Sequence, residues 1–243
     1  MIGAPLFVGT ALTLAATAGV LLASSAPAPA QQPPLDATHV YLRDCATCHG
    51  AEGRGTNRGP TLIGVGEASA DYELTTGRMP LGEPTEPVRR HEPAYPPAMI
   101  AALVAHVAGF GGGGPDIPRV DAAGADISLG GELFRQQCAG CHSWSGTGGA
   151  LLYREAPTLQ PSTPTQVAEA VRIGPGTMPA FGPAAIDETQ LDALVAYVKK
   201  LQHPADRGGA SLWHLGPLVE GGVAIIVGLG ASLLVIRWIG ERE

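Results

Sequence analysis

Cys45-Ala46-Thr47-Cys48-His49 recurs as Cys138-Ala139-Gly140-Cys141-His142, and the two copies use all four cysteines of the chain. The pattern carries a specific chemistry. Cys-X-X-Cys-His is the attachment signature of c-type haem, in which the two thiols form thioethers to the porphyrin and the imidazole becomes the proximal iron ligand. Helical geometry explains the spacing: residues i and i+3 share a face, so both sulfurs meet one haem edge while the next residue turns its ring beneath the iron. Cys45, Cys48, Cys138 and Cys141 are therefore the expected covalent anchors. His49 and His142 are the expected proximal ligands, and two covalently bound haem c groups are the expected cofactors. The plainer reading of four cysteines in an exported protein is two disulfides; a histidine directly after each pair argues against it.

A duplicated motif in 243 residues implies two small domains, each of a size that struggles to build a core from its own apolar residues. A covalent haem would complete each core, which agrees with an aromatic content of 5%. The 34 Gly and 22 Pro would suggest disorder if spread evenly, but they cluster between apolar segments. The net charge of -7, with no basic stripe, excludes nucleic acid as an expected partner.

Candidates for the sixth iron position follow from scarcity. Apart from Met1 the chain has three methionines, and two share a context: Gly77-Arg78-Met79-Pro80 and Gly176-Thr177-Met178-Pro179. Each follows its own histidine on a loop that can reach the far side of a haem, so Met79 and Met178 are the expected axial partners. Met99 sits in an apolar helical run and reads as core filler. Pro60 and Pro157 occupy comparable places after the two motifs. Their carbonyls suit a hydrogen bond from the other nitrogen of each proximal histidine, the contact that fixes ring orientation in metal sites. Tyr41 and Phe134 stand four residues before the first cysteine of each motif, one turn back on the same face. His39, His91, His106 and His203 match no motif and read as surface or packing residues.

The order of segments completes the plan. Residues 1–30 are an uncharged apolar stretch ending in Ala26-Pro27-Ala28-Pro29-Ala30, either a cleaved signal peptide or an N-terminal membrane anchor. Residues 36–110 form the first expected domain, 111–125 a glycine-rich flexible linker, 126–203 the second domain and 204–215 another linker. Each domain closes with a helix, Ala102-Leu103-Val104-Ala105-His106-Val107 answering Ala193-Leu194-Val195-Ala196-Tyr197-Val198. Residues 216–238 are apolar apart from Glu220 and Arg237, long enough to span a hydrocarbon core of about 30 Å. Trp213 and Trp238 flank the span like interfacial anchors.

Four stretches then look like something specific: Asn57 to Gly66, Thr76 to Pro80, Gly174 to Gly182 and Gly216 to Gly221. They resemble the dihaem cytochrome c (cytochrome cc) subunit of actinobacterial menaquinol:cytochrome c reductases, a likeness running from about Val40 to the C-terminus. The resemblance implies an all-α fold of two tandem class I cytochrome c domains plus a C-terminal transmembrane helix. It implies an electron-transfer subunit of a quinol:cytochrome c reductase with no substrate-turnover site of its own. Its expected partners are the cytochrome b and Rieske iron-sulfur subunits, a haem-copper cytochrome c oxidase and the membrane. Its expected place is the plasma membrane, with the haem domains on the extracytoplasmic side. On this likeness Cys45, Cys48, His49 and Met79 hold the first haem, and Cys138, Cys141, His142 and Met178 the second. The alternative with the same haem signature is the electron-accepting cytochrome subunit of another membrane-bound or periplasmic dehydrogenase. A dihaem peroxidase would need an open iron position, against which the paired Met-Pro loops argue.

Overall fold

The computed structural model describes residues 36–151, 154–204 and 217–241. The expected export segment 1–30 lies outside the described residues. So do residues 205–216, which hold most of the second linker and Trp213, and residues 242–243.

Asp36 caps α1 (Ala37–Asp44), its carboxylate accepting from the backbone N–H of His39. The chain continues almost unbroken into α2 (Ala46–His49), a single turn that carries the first motif. After a glycine-rich loop come α3 (Gly66–Thr75) and α4 (Pro97–Ala108), the latter started by a proline whose fixed φ suits the first helical position. Ile100, Leu103, Val104 and Val107 make one buried face of α4, which packs on α1 and α3. Tyr41 is 1% exposed. Its ring stacks against His106 and Phe110 at 5.0 Å, and its hydroxyl donates to the Gly50 carbonyl at 2.8 Å. Thus the aromatic before the first motif ties the motif helix to the closing helix, and His106 is a packing residue.

The second half repeats the plan. Asp126 caps α5 (Ile127–Gln137), which leads into α6 (Ala139–His142) with the second motif. A short antiparallel hairpin follows, β1 (Gly149–Leu151) with β2 (Arg154–Ala156), the one addition to an otherwise helical set of described elements. Then come α7 (Pro164–Ile173) and α8 (Glu188–Gln202), each opened by a reciprocal capping box, Thr163 with Gln166 and Asp187 with Gln190. Phe134 packs on Tyr197 of α8 at 5.4 Å. Helices α5 and α8 cross closely because Gly130 has no side chain: a Cβ there would overlap the Ala193 carbonyl. Gly130→Val is expected to destabilise the chain by about 3 kcal/mol, the scale of overpacking against backbone that cannot move, read as a lowered midpoint in thermal unfolding followed by circular dichroism.

The expected flexible linker is tacked down. The Gly111 carbonyl accepts from Gly64 N–H at 3.3 Å and the Pro115 carbonyl from Ala68 N–H at 3.1 Å. A Cβ on Gly66, at φ +79°, would lie 2.5 Å from Gly114 and Pro115. Glycine there permits close approach of two backbones rather than freedom. Further on, Val120 and Ala122 pack against the second core, and Asp121 N–H donates to the Asp192 carboxylate at 2.9 Å.

The two halves also meet directly, α3 against α7. Gln166 is the hub: its carbonyl oxygen accepts from Arg90 at 2.8 Å and its amide donates to the Thr75 carbonyl at 3.3 Å. Beside it, Glu169 is fully buried, and neither carboxylate oxygen has a hydrogen-bond partner of ordinary geometry. Burial first, and then the facing Asp71 carboxyl, push Glu169 up to about 9. A carboxyl raised from 4.5 to about 9 on folding holds its proton more tightly in the native state. Its stabilising effect is therefore complete below pH 4.5 and is lost as pH rises through about 9. Glu169→Gln is expected to flatten that slope: the variant's melting temperature should exceed the wild type's by a margin that grows from pH 5 to pH 9, measured by calorimetry.

The last described element is α9 (Pro217–Gly240), 24 residues or roughly 36 Å at the helical rise. It is long and apolar enough to cross a membrane, and none of its residues from Leu218 to Gly240 is buried within the protein. Glu220 lies in its first turn, and Arg237 pairs with Glu241 at 2.9 Å past its end.

Candidate functional site

Each half contains one cavity at its motif. The first, about 430 Å³, is lined by Cys45, Cys48, His49, Pro60 and Met79, with Leu62, Leu103 and Val107 among its apolar walls. The second, about 630 Å³, is lined by Cys138, Cys141, His142, Pro157 and Met178, with Phe134, Leu159 and Leu194. Both volumes suit a small-molecule cofactor. The structure thus brings all eight sequence-expected site residues together in two sets of four, and leaves His39, His91, His106 and His203 outside both linings.

The histidines are held alike. His49 Nδ1–H donates to the Pro60 carbonyl at 2.8 Å, and His142 Nδ1–H to the Pro157 carbonyl at 3.0 Å. A carbonyl can only accept, so the proton sits on Nδ1 and Nε2 keeps its lone pair for a metal. His142 is 8% exposed; burial pushes its titration below the ordinary histidine range against the upward pull of the Pro157 carbonyl, which keeps the ring neutral. The four cysteines are all described and none forms a disulfide. Burial raises the Cys45 and Cys138 thiols to about 11. Next to Cys45, the Asp44 carboxylate is held down to about 2 by the Arg43 guanidinium, and it accepts from the Tyr95 hydroxyl at 2.7 Å. That bond fixes the end of α1 to the segment entering α4.

The donor chemistry fits haem c: two thiols on one helical turn, an imidazole with a free nitrogen and a thioether, around an apolar cavity. Among the described residues no group of three or more His, Cys, Asp or Glu is placed to hold a bare metal ion.

Two further sets of residues shape these sites, and sequence reasoning passed over both. Arg172, 9% exposed, donates to the carbonyls of Phe181 at 2.9 Å and Ile186 at 2.6 Å, and to Glu188 at 2.8 Å. It holds the loop carrying Met178 onto α7 and α8. The signal available was an arginine in the last turn of α7 just before a glycine. The second set crosses between halves: Tyr72, Glu73, Arg78 and the stretch Val88 to Arg90 belong to the first half yet line the cavity of the second. Adjacent residues divide the work, Met79 facing the first cavity and Arg78 the second.

Comparison with known proteins agrees with this geometry. The family model for cytochrome c matches residues 36–108, and that for the cbb3-type cytochrome c oxidase subunit III matches residues 125–198. The chain is 35% identical to the cytochrome bc1 complex cytochrome c subunit of Mycobacterium tuberculosis, over 97% of this chain and 90% of that protein. It is 33% identical to the subunit of the same name from Corynebacterium diphtheriae, over 84% of this chain and 79% of the relative. A cytochrome c6 from Bryopsis maxima is 32% identical but covers 32% of this chain, as a protein with one such domain would. With two cytochrome c domains, haem c as their cofactor and long similarity at this level, the chain belongs to the family of cytochrome bc1 complex cytochrome c subunits.

Proposed function

We propose that this chain is the membrane-anchored dihaem relay of a menaquinol-oxidising cytochrome bc complex, taking electrons from its Rieske iron-sulfur protein and passing them to a haem-copper cytochrome c oxidase. The observation that carries the reading is the repetition of one site on one chain: a Cys-X-X-Cys-His turn, a histidine oriented by a proline carbonyl and a Met-Pro loop, all on one cavity, twice.

Cys45 and Cys48 would anchor the first haem and Cys138 and Cys141 the second. His49 with Met79, and His142 with Met178, would supply the axial donors. Haem c held by these residues would supply a one-electron iron couple, biased to the ferrous state by thioether sulfur. The residues do the rest. Pro60 and Pro157 hold the imidazole rings in one orientation through their carbonyls, and apolar side chains line both cavities. The apolar α9 would hold the domains at the plasma membrane, on its extracytoplasmic side where c-type haem is attached, so that the carrier need not diffuse.

The test is purification of a tagged full-length chain in mild detergent, followed by absorbance spectra and subunit identification. The expected result is c-type and b-type haem bands with cytochrome b, a Rieske protein and an oxidase. Recovery with a dehydrogenase and no b-type haem would instead place the chain as an electron-accepting subunit elsewhere.

A further inference from the structure

The wall of the second cavity holds a buried charge that the site as described does not use. Arg78 is 8% exposed, and its Nη1 is a buried donor with no hydrogen-bond partner. Its guanidinium lies over the Tyr72 ring, 4.8 Å from the centroid. Glu73 feels its field, but no ion pair joins the two among the described residues. A second guanidinium is close: burial, and then the charge of Arg78, hold Arg90 below its ordinary range. Arg90 also lines this cavity, bound to Gln166 at 2.8 Å. Two mutually repelling guanidiniums, one with an unused buried donor, are costly unless an anion arrives. What enters this cavity on the reading above carries two carboxylates of its own, the haem propionates.

We propose that the first domain supplies the cationic clamp for a propionate of the second domain's haem, with Arg78 as the principal donor and Arg90 beside it. The clamp rests on the proposal that the second cavity takes haem c. Arginine suits the task, since its planar fork matches a carboxylate with two parallel hydrogen bonds. Because Met79 follows Arg78 directly, one loop serves both sites: its methionine faces the first cavity and its arginine the second. The packing of α3 on α7 thereby becomes part of the second haem's binding, and the domains are coupled through a cofactor contact as well as through Gln166.

A fixed positive charge near the iron favours the ferrous state, so its removal shifts the equilibrium toward ferric. The test is a redox titration of the full-length chain carrying its haems, for the wild type, Arg78→Gln and Arg78→Lys, with haem per chain measured in each. Met178→His marks which midpoint belongs to the second site. Arg78→Gln is expected to lower the ferrous-to-ferric ratio of that site about tenfold at fixed ambient potential, equivalent to 59 mV for one electron, and to leave the first site in place. Arg78→Lys keeps the charge but not the fork, and should give a shift of the same sign of about threefold. Two haems per chain with both midpoints unmoved in Arg78→Gln would overturn the clamp, as would movement of the first site alone. Should Arg78→Gln fail to mature, Arg78→Lys decides, and a second-site midpoint equal to the wild type's overturns the proposal. A wild-type chain with fewer than two haems would sink the dihaem reading itself, a result distinct from failure of the clamp.

Discussion

On the proposed ligation, replacing Met178 by histidine will lower the midpoint potential of the second domain's haem by roughly 0.2–0.4 V, a fraction of the ~0.8 V that axial ligands span. The direction follows from the donor: thioether sulfur favours ferrous iron, and imidazole, a stronger σ-donor, favours ferric. Histidine would still offer the iron a donor there, so the chain should keep its haem and its fold, and the loss should be confined to potential. Among the described residues lining the second cavity, Met178 and the motif cysteines are the ones that carry sulfur. In the proposed relay a haem lowered this far becomes an uphill step, and quinol-to-oxidase turnover should fall at least tenfold while haem content stays unchanged. A spectroelectrochemical titration checks the first statement and oxygen consumption the second. Met99, part of the first core and absent from both cavity linings, is the control whose replacement by leucine should leave both potentials alone.

The second large effect is at Arg172. Its bonds to the Phe181 and Ile186 carbonyls are short and shielded, while its ion-pair partner Glu188 is 65% exposed at the side chain. An exposed partner contributes little; two carbonyls left without donors cost much more, at about 1–3 kcal/mol each. Arg172→Met should therefore destabilise the second domain by about 2–4 kcal/mol, and Glu188→Gln by a small fraction of that. The loop between Gly174 and Ile186 carries Met178, so the same variant should weaken the sulfur-to-iron charge-transfer absorption of one haem before global unfolding begins. Denaturant titration and the visible spectrum, followed together, separate the two consequences. If Glu188→Gln proves as damaging as Arg172→Met, the carbonyl contacts are not what holds the loop.

What the chain revealed before any coordinates was its local chemistry. Cys-X-X-Cys-His declares itself because five consecutive residues must share one turn. Met79 and Met178 stood out because methionine is rare here and both sit before a proline in the same setting, and each lines the cavity of its own motif. The closing helices were visible as apolar runs. The residues that escaped act across distance. Gln166 reads as an ordinary third residue of a capping box, and only the packing of α3 on α7 shows that its far end bonds Thr75 and Arg90. Arg172 finds carbonyls nine and fourteen positions on, a relation no local periodicity encodes. Arg78 was overlooked beside its methionine neighbour because one strand of loop facing two cavities has no signature in sequence. The hairpin at 149–156 joins strands of only three residues, too short for an alternating pattern to show, and the glycine run at 111–114 suggested freedom where it provides close contact. Local propensity marks such residues as permissive; tertiary packing decides their use.

In the proposed relay, electrons cross this chain on their way from quinol to oxidase. The most direct test is stopped-flow absorbance on the detergent-purified assembly, mixing a reduced menaquinol analogue with fully oxidised protein and following the c-type bands and the oxidase haem bands in time. The expected result is that c-type haem is reduced before the oxidase haem, and that Met178→His delays the oxidase step. Reduction of the oxidase haem at the wild-type rate while the c-type haems stay oxidised would contradict it.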